Sequence, residues 1–443
     1  MIKHIFLILA FVLVNVLNVQ AQQNRGRKQQ KSRIQNKNLR QARNLNEIDS
    51  IVYDIENYFS KQKEEDRLKE LMDHAKLLGS QDKIEEANLN KKFHSGIRKQ
   101  QGMNPNISLG GDFFIGGSTS DNEHLSSPGD YSYGNNGIFL REIELGLESA
   151  LDPYTRGKTF ISFTEGELAI EEAYIEILNL PLNMNLRLGI INPEFGPLNR
   201  YHDHALPQFD RPRALVSYFG NGNFGGPGVA MNFMLPPILW AEASSMEIAT
   251  VHGSTPEIFA SGSPWLLQGV GHFKNFYDVG KDSFFEFSLN TVVGKNPIGV
   301  RLNQNYISSV NSLGLMYKWI PAGRAKYRTF DWKSELFYVT YQGRGGDTSI
   351  SKGFYTSMQN KLNARWWISG RIGYNEKLYT PEQSQWDYTL ALDFWQSEFV
   401  FFRLQYQYNN RLLWMEQNEV IPSDHSLTLQ ICWAMGPHRH EAY

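Results

Sequence analysis

The chain has 443 residues, and its formal net charge of -2 excludes the strongly basic or acidic balance expected of a nucleic-acid-binding protein. Aromatic residues make up 13% of the sequence although the mean hydropathy, -0.43, is negative. Such a composition predicts rings gathered on one side of the structure. They would lie at the two lipid–water interfaces of a β-barrel, or in the core of a large soluble β-sandwich.

Residues 1–21 have the features of a cleaved secretory signal peptide. Lys3 precedes the apolar run Ile5–Leu17, and Ala21 ends a cleavage site of small residues. The single cysteine, Cys432, cannot form an internal disulfide. Past the signal there is no run of about 18 apolar residues, which a spanning helix needs. If the mature chain enters a membrane, we therefore expect it to cross as a barrel.

Two segments follow the signal. Residues 22–43 carry eight basic residues and no acidic one, which predicts a disordered tail or a contact for an anionic periplasmic partner. Residues 44–101 show apolar positions three and four apart, beginning Leu45, Ile48 and Val52, which predicts amphipathic helix. That helix could form a coiled coil or a hairpin, and both interpretations remain open. Residues 22–95 would be the part available to a periplasmic partner.

Alternation of apolar and polar residues replaces the helical period from Asn106 onward. In the last such segment Leu427, Leu429 and Ile431 alternate with Ser426, Thr428 and Gln430. About sixteen segments of this kind predict an all-β fold over residues 102–443, a transmembrane antiparallel β-barrel with an N-terminal periplasmic α-helical extension. A barrel of this size leaves an aqueous channel.

The connections between these segments alternate in length, which is typical of barrels with short periplasmic turns and long outer loops. Residues 179–183 form a tight connection. The long connections are 118–137, 194–226, 253–264 and 410–423.

The connection between Glu194 and Gly226 is the longest and carries the densest group of polar residues. Arg200, Arg211 and Arg213 would place fixed positive charge at a constriction if this loop folds inward, and would favour anionic solutes. An architectural role is the alternative, in which Asp210 pairs with Arg211 or Arg213 and holds the loop against the barrel wall.

The same connection contains a candidate metal site. His202 and His204 are two residues apart, so on a strand they would share a face, with Asp203 opposite and Asp210 within reach. Two imidazoles and a carboxylate would suit zinc or copper.

Charged residues on the polar faces of the strands are expected to line the lumen and to contact solutes, among them Arg187, Glu144 and Glu176. The sequence contains no GxSxG, P-loop or HExxH motif, so we expect neither an enzyme nor a bound cofactor.

Residues 138–235 resemble outer-membrane porins of the phosphate-selective porin O and P type, in particular the Bacteroidota branch. The runs that carry the resemblance are FLREIELGLESALDPYTRGKTFISF, IEEAYIEIL, LRLGIINPEFGPLN, LPQFDRP and GGPGVAMNFMLP, together with the tail at 436–440. The resemblance implies a sixteen-stranded barrel, often trimeric, that passes small hydrophilic solutes down their gradient. Phosphate selectivity in that family rests on an arginine ladder and a lysine cluster. Matching lysines are not found here, and the lumen charges are mixed.

These observations predict a porin in the outer membrane of a Gram-negative bacterium, in contact with lipid and with small hydrophilic solutes such as phosphate, and assembled as a homotrimer. The alternative is a barrel-anchored protein that binds a metal or a carbohydrate, with the loop at 194–226 filling the lumen. A barrel hydrolase is a third hypothesis.

Overall fold

The computed structural model describes residues 105–119, 137–164, 167–253, 255, 258–412, 414–416 and 419–436. The predicted signal peptide, the basic segment and the helical extension all lie outside these residues. No helix within the described ranges is long and apolar enough to cross a membrane.

Almost all regular structure is β-strand, as the alternating sequence predicts. The strands are β1 (Asn106–Ser118), β2 (Gly137–Asp152), β3 (Thr155–Thr164), β4 (Glu167–Leu180), β5 (Met184–Ile191), β6 (Gly226–Leu235), β7 (Ala243–Val251), β8 (Gln268–Asp278), β9 (Ser283–Lys295), β10 (Ile307–Trp319), β11 (Phe330–Gln342), β12 (Thr348–Lys361), β13 (Trp366–Lys377), β14 (Thr380–Trp395), β15 (Val400–Leu412), β16 (Met415–Glu416), β17 (Glu419–Val420) and β18 (Asp424–Met435). The helices are α1 (Arg213–Phe219) and α2 (Pro297–Arg301), with 3₁₀ turns at Asp203–Ala205 and Arg344–Gly346.

Sixteen of these strands form one closed antiparallel barrel, and β16 and β17 form a separate two-stranded sheet. Each barrel strand pairs with its neighbours in sequence, and β1 closes the barrel by pairing with β18, where Asp112 lies opposite Cys432. Closure leaves the barrel without an unpaired edge, so the ladder satisfies the backbone hydrogen bonds of every strand. The sixteen-stranded barrel predicted from the alternation is confirmed, and the soluble sandwich is not the fold.

The polarity of the two barrel faces is the reverse of that in a soluble protein, with apolar side chains outside and charged side chains inside. Leu289, Leu336 and Leu390 point outward and are 48%, 48% and 55% exposed. The inward-pointing Glu335 and Gln407 are both 0% exposed. A soluble sandwich would bury the leucines and expose the charges. Lipid around the barrel and water inside it account for the observed arrangement.

Aromatic side chains lie at both ends of the outward apolar band. Trp366, Phe394 and Phe402 stack across β13, β14 and β15, with centroid distances of 4.9 and 6.4 Å. Toward the other end of the same strands, Tyr388 and Tyr408 stack at 6.1 Å. Leucines and isoleucines fill the rows between them. Two aromatic rows around an aliphatic band match the two interfaces of a bilayer.

The longest connections lie at one end of the barrel. This end carries 192–225, which we call the inner loop, but also the tight turn at 378–379. The opposite end carries the tight turns at 153–154, 181–183 and 279–282, together with a longer connection at 320–329. The predicted alternation of short and long connections is therefore present only in part.

Candidate functional site: the lumen and its inner loop

The inner loop folds into the barrel and forms hydrogen bonds with the wall on several sides. The backbone oxygen of Phe209 accepts from Arg141 on β2 at 2.5 Å, and its nitrogen donates to Gln405 on β15 at 3.1 Å. The oxygen of Leu206 accepts from Arg403 at 3.0 Å. Wall side chains thus satisfy the backbone groups that the loop buries, which is the condition for placing irregular backbone inside a barrel.

Asp210 forms an ion pair and hydrogen bonds between the loop and the wall. One carboxylate oxygen lies 2.6 Å from Arg371 on β13, and the other accepts from Gln405 at 2.7 Å. Arg213 lies 3.9 Å from the same carboxylate, and Arg371 also pairs with Asp387 at 3.0 Å. Burial alone would raise the pKa of Asp210, but the charges of Arg371 and Arg213 lower it, so the carboxylate stays ionised.

Arg211 holds the shape of the loop itself. Its guanidinium lies 2.9 Å from Asp203 and donates to Asn223 at 2.5 Å and to the backbone oxygen of Tyr201 at 2.7 Å. Burial raises the pKa of Asp203, but the charges of Arg211 and Arg141 and the hydrogen bond from Arg211 together lower it overall. Arg211 therefore pairs with Asp203 within the loop and not with Asp210, while Arg213 lies 3.9 Å from Asp210, which is one of the two pairings expected if the loop is held against the wall.

Apolar packing anchors the C-terminal half of the loop. The short helix α1 places the Tyr218 ring 5.6 Å from that of Phe337 on β11. On β12, a Cβ added to Gly353 would lie 2.8 Å from the Tyr218 hydroxyl. The absence of a side chain at position 353 therefore makes room for the Tyr218 ring. Gly196 has a φ of 59°, and a Cβ there would meet the Glu335 carboxylate at 2.2 Å.

His202 faces several carboxylates of the wall. Its Nδ1 lies 2.8 Å from Glu144 on β2 and 2.7 Å from Glu171 on β4, and its Nε2 lies 3.5 Å from Glu172. The imidazole is buried, which lowers its pKa, but the hydrogen bond and charge of Glu144 and the hydrogen bonds of the other two carboxylates raise it well above the usual value.

His204 occupies the same side of the loop, with its ring 5.9 Å from that of His202. It lies 3.3 Å from Glu142 and 3.9 Å from Glu144. Burial lowers the pKa of His204, but the hydrogen bond that its ring donates to Glu142 and the charge of Glu144 raise it overall. The two histidines do share a side, although His202 is the extended residue that precedes a 3₁₀ turn and His204 lies within that turn, not on a strand.

The carboxylates that face the histidines differ from those expected. Asp203 pairs with Arg211 and Asp210 with Arg371, so neither faces His202. The missed residue is Glu171. A register shift opposite Phe160 and Ile161 inserts it between two paired positions of β4, which turns both Glu171 and Glu172 toward the lumen. The sequence feature that could have indicated this bulge is the pair of consecutive glutamates in an otherwise alternating strand.

A narrow cleft remains between the start of the inner loop and strands β8, β9 and β10; the empty space in it amounts to about 490 Å³ when the adjoining open solvent is included. Arg200 and Glu194 of the loop line it, together with His272, Lys274 and Glu286 of the wall. Neither Arg211 nor Arg213 is among its described lining residues. Of the three arginines expected to select anions, the structure therefore places only Arg200 in open space.

The charges of the cleft nearly cancel. Glu194 lies 3.5 Å from Arg200, 3.1 Å from His272 and 3.6 Å from Lys274. Burial raises the pKa of Glu194, but the hydrogen bond from His272 and the charges of Lys274 and Arg200 lower it well below its usual range. Glu286 on β9 supplies a second carboxylate, from the strand next to the one that carries His272 and Lys274.

The other expected pore residues face the lumen within ion pairs. Arg187 lies 2.5 Å from Glu247 on β7, and both side chains are buried. Glu176 pairs with Arg156 on the neighbouring strand β3. Glu144 faces the two histidines, as described above. All three side chains therefore point inward, as the alternation of apolar and polar residues predicts. Their ion-pair partners could be identified only from the structure.

Comparison with known proteins identifies a fold and no family. No protein-family profile matches the chain. An uncharacterized protein of Aquifex aeolicus is 30% identical over 203 residues, which are 41% of this chain and 43% of that protein. The chain thus spans less than half the length of that relative.

Two solved structures resemble the barrel over most of its length. The anion-selective porin from Comamonas acidovorans superposes with a TM-score of 0.51 at 8% identity, over 75% of this chain and 100% of that one. The outer-membrane expressed OmpT of Vibrio cholerae gives 0.50 at 7% identity, over 76% and 100%. At these identities the likeness concerns the fold: the chain forms a sixteen-stranded antiparallel barrel of the kind found in outer-membrane porins.

Proposed function

We propose that this protein is an outer-membrane channel through which small hydrophilic solutes diffuse passively. The observation that carries the proposal is the inverted barrel, with charged side chains inside and an aliphatic band between aromatic rows outside. Exposed to water, that band would be an apolar patch far larger than soluble monomers tolerate. The likeness in fold to outer-membrane porins supports the same conclusion.

The open cleft beside β8, β9 and β10 is the pathway that we assign to the solutes. Arg200 and Lys274 line it together with Glu194 and Glu286, so fixed charges of both signs face a passing ion. Water-filled space lined by polar groups passes solutes by size and charge and binds none of them tightly. The inner loop narrows the lumen and thereby sets the size limit.

For ion preference we propose weak selectivity. A phosphate pathway of the kind that the sequence resemblance implies requires arginines free to bind the solute. The lumen arginines Arg187, Arg371 and Arg403 instead pair with carboxylates at 2.5 to 3.0 Å. Arg200, 13% exposed and 3.5 Å from its partner carboxylate, is the arginine best placed to act on passing anions.

Liposome swelling with sugars of graded size tests the channel, because only solutes that enter through the lumen cause swelling. Arg200→Ala should lower the anion-over-cation permeability ratio, measured as the reversal potential in a salt gradient. Arg156→Ala is the matched control, since Arg156 faces the lumen outside the cleft and pairs with Glu176. Absence of swelling with any sugar contradicts the channel. An unchanged reversal potential in the Arg200 variant contradicts the role of that residue alone.

The assembly is also a proposal. Homotrimers, implied by the sequence resemblance, would place the apolar outer surfaces of neighbouring barrels against each other. Crosslinking in native membranes, followed by electrophoresis without heating, should give a band at three times the mass of one chain. A single-chain band at every crosslinker concentration would contradict the trimer.

A further inference from the structure

We propose that His202, Glu144 and Glu171 form a binding site for a divalent transition metal ion of the Zn²⁺ class, which joins the inner loop to the barrel wall. One ligand atom from each of the three residues lies within 4.8 Å of the other two. The ligands come from three separated parts of the chain, the inner loop, β2 and β4. Binding of an ion would therefore crosslink the loop to two strands.

The atoms around Nδ1 of His202 are arranged better for a shared metal ion than for a hydrogen bond from a protonated nitrogen. Carboxylate oxygens of Glu144 and Glu171 lie 2.8 and 2.7 Å from this one nitrogen. A single N–H directs its hydrogen at one acceptor, because hydrogen bonds weaken steeply away from linearity. An ion in the space between the three atoms would contact all of them at once, after an outward shift of a few tenths of an ångström.

A carboxylate lies near the opposite nitrogen of the same ring. Nε2 of His202 is buried without a hydrogen-bond partner among the described residues, and it lies 3.5 Å from Glu172, which itself lies 3.8 Å from Lys158. Histidine ligands commonly donate their second N–H to a carboxylate, which fixes the ring orientation and raises its basicity. Glu172 is the carboxylate placed to accept from Nε2 when an ion holds the ring at Nδ1.

The charge of the cluster also favours a cation. Four glutamates, at 142, 144, 171 and 172, face two imidazoles. Lys158 faces Glu172, and the guanidinium of Arg141 pairs with Asp112. A divalent ion would neutralise two carboxylates and allow His202 to stay neutral. Imidazole together with carboxylates selects Zn²⁺ and its neighbours over Ca²⁺ and Mg²⁺, which prefer oxygen ligands alone.

Calorimetric titration of the full chain in detergent micelles with Zn²⁺ tests the proposal, with Ca²⁺ as the control ion. We expect one Zn²⁺ bound per chain and no comparable binding of Ca²⁺. His202→Gln should abolish binding, and Glu172→Gln should weaken it about 10–100-fold, as is typical when the partner of a metal-bound histidine is removed. Absence of stoichiometric Zn²⁺ binding to the wild-type chain overturns the site.

Two further variants separate ligand loss from misfolding. Glu171→Gln removes a ligand that is partly exposed and should weaken binding by at least about tenfold. Glu176→Gln, a lumen carboxylate of the same strand paired with Arg156, should leave binding unchanged. Barrel folding is checked for each variant by its altered gel migration on heating. Undiminished binding in a folded Glu171 or His202 variant overturns the proposal, and none of these readouts depends on channel activity.

Discussion

Replacement of Asp210 by asparagine should release the inner loop from the wall. The carboxylate lies 2.6 Å from Arg371 and accepts from Gln405 at 2.7 Å, with Arg213 at 3.9 Å. Asparagine has nearly the same shape but no charge. The variant leaves two buried guanidinium groups with Asp387 as the carboxylate nearest to Arg371.

The expected magnitude follows from the burial of this group. Removal of one partner from a buried ion pair costs about 3–5 kcal/mol, because a buried charge loses compensation; here Asp387 alone would remain to compensate Arg371. The free energy that docks the loop should fall by about that amount. Since about 1.4 kcal/mol is a factor of ten, the ratio of docked to undocked loop should fall by about two to three and a half powers of ten.

The assay is single-channel recording in planar bilayers. Asp210→Asn should show larger and more frequent conductance fluctuations than the wild type, because an undocked loop widens the pathway. Asp424→Asn is the control. Asp424 pairs with Arg411 and its side chain is also buried, at 0% exposure against 7% for Asp210, but both residues belong to strands of the wall. Identical conductance and noise in Asp210→Asn and wild type would refute the reasoning that this pair holds the loop.

Two further substitutions test the loop and the outer surface. Gly196→Ala should lower the melting temperature more than Gly222→Ala. Both glycines have a positive φ, but only a Cβ at position 196 would meet another residue, the Glu335 carboxylate at 2.2 Å. Equal shifts in the two melting temperatures would contradict this close approach. Leu390→Arg should cost about 2–4 kcal/mol in reversible unfolding from lipid vesicles, against about 0–1 kcal/mol for Leu412→Arg at a strand end. Equal costs at the two positions would mean that Leu390 does not face the middle of a bilayer.

The barrel was predictable because its signal is local and repeated. Alternation with period two places Glu144, Arg187 and Glu176 on the inner face regardless of which strand pairs with which. The strand count and the uneven connections follow from the same repetition. The pairing of β1 with β18 can then be predicted without further sequence evidence, since an open sheet in lipid would leave the backbone groups of two edge strands without hydrogen bonds.

The pairing inside the lumen could not be predicted because it depends on contacts distant in sequence. Asp210 meets Arg371 across 161 residues, so no local pattern distinguishes this wall contact from a pair within the loop. Glu171 was not predicted for a different reason. A one-residue bulge in β4 shifts the alternation from which inward and outward side chains are assigned. The cleft, finally, depends on where the loop leaves space, which three-dimensional packing alone determines.

The central claim is that the lumen contains a continuous water-filled pathway past the inner loop. Conductance of the purified chain in planar bilayers tests this claim most directly. The account predicts stable, ohmic single-channel steps at neutral pH, with only weak preference between anions and cations. Silent bilayers at high protein concentration, with the barrel shown to be folded and inserted, would contradict it.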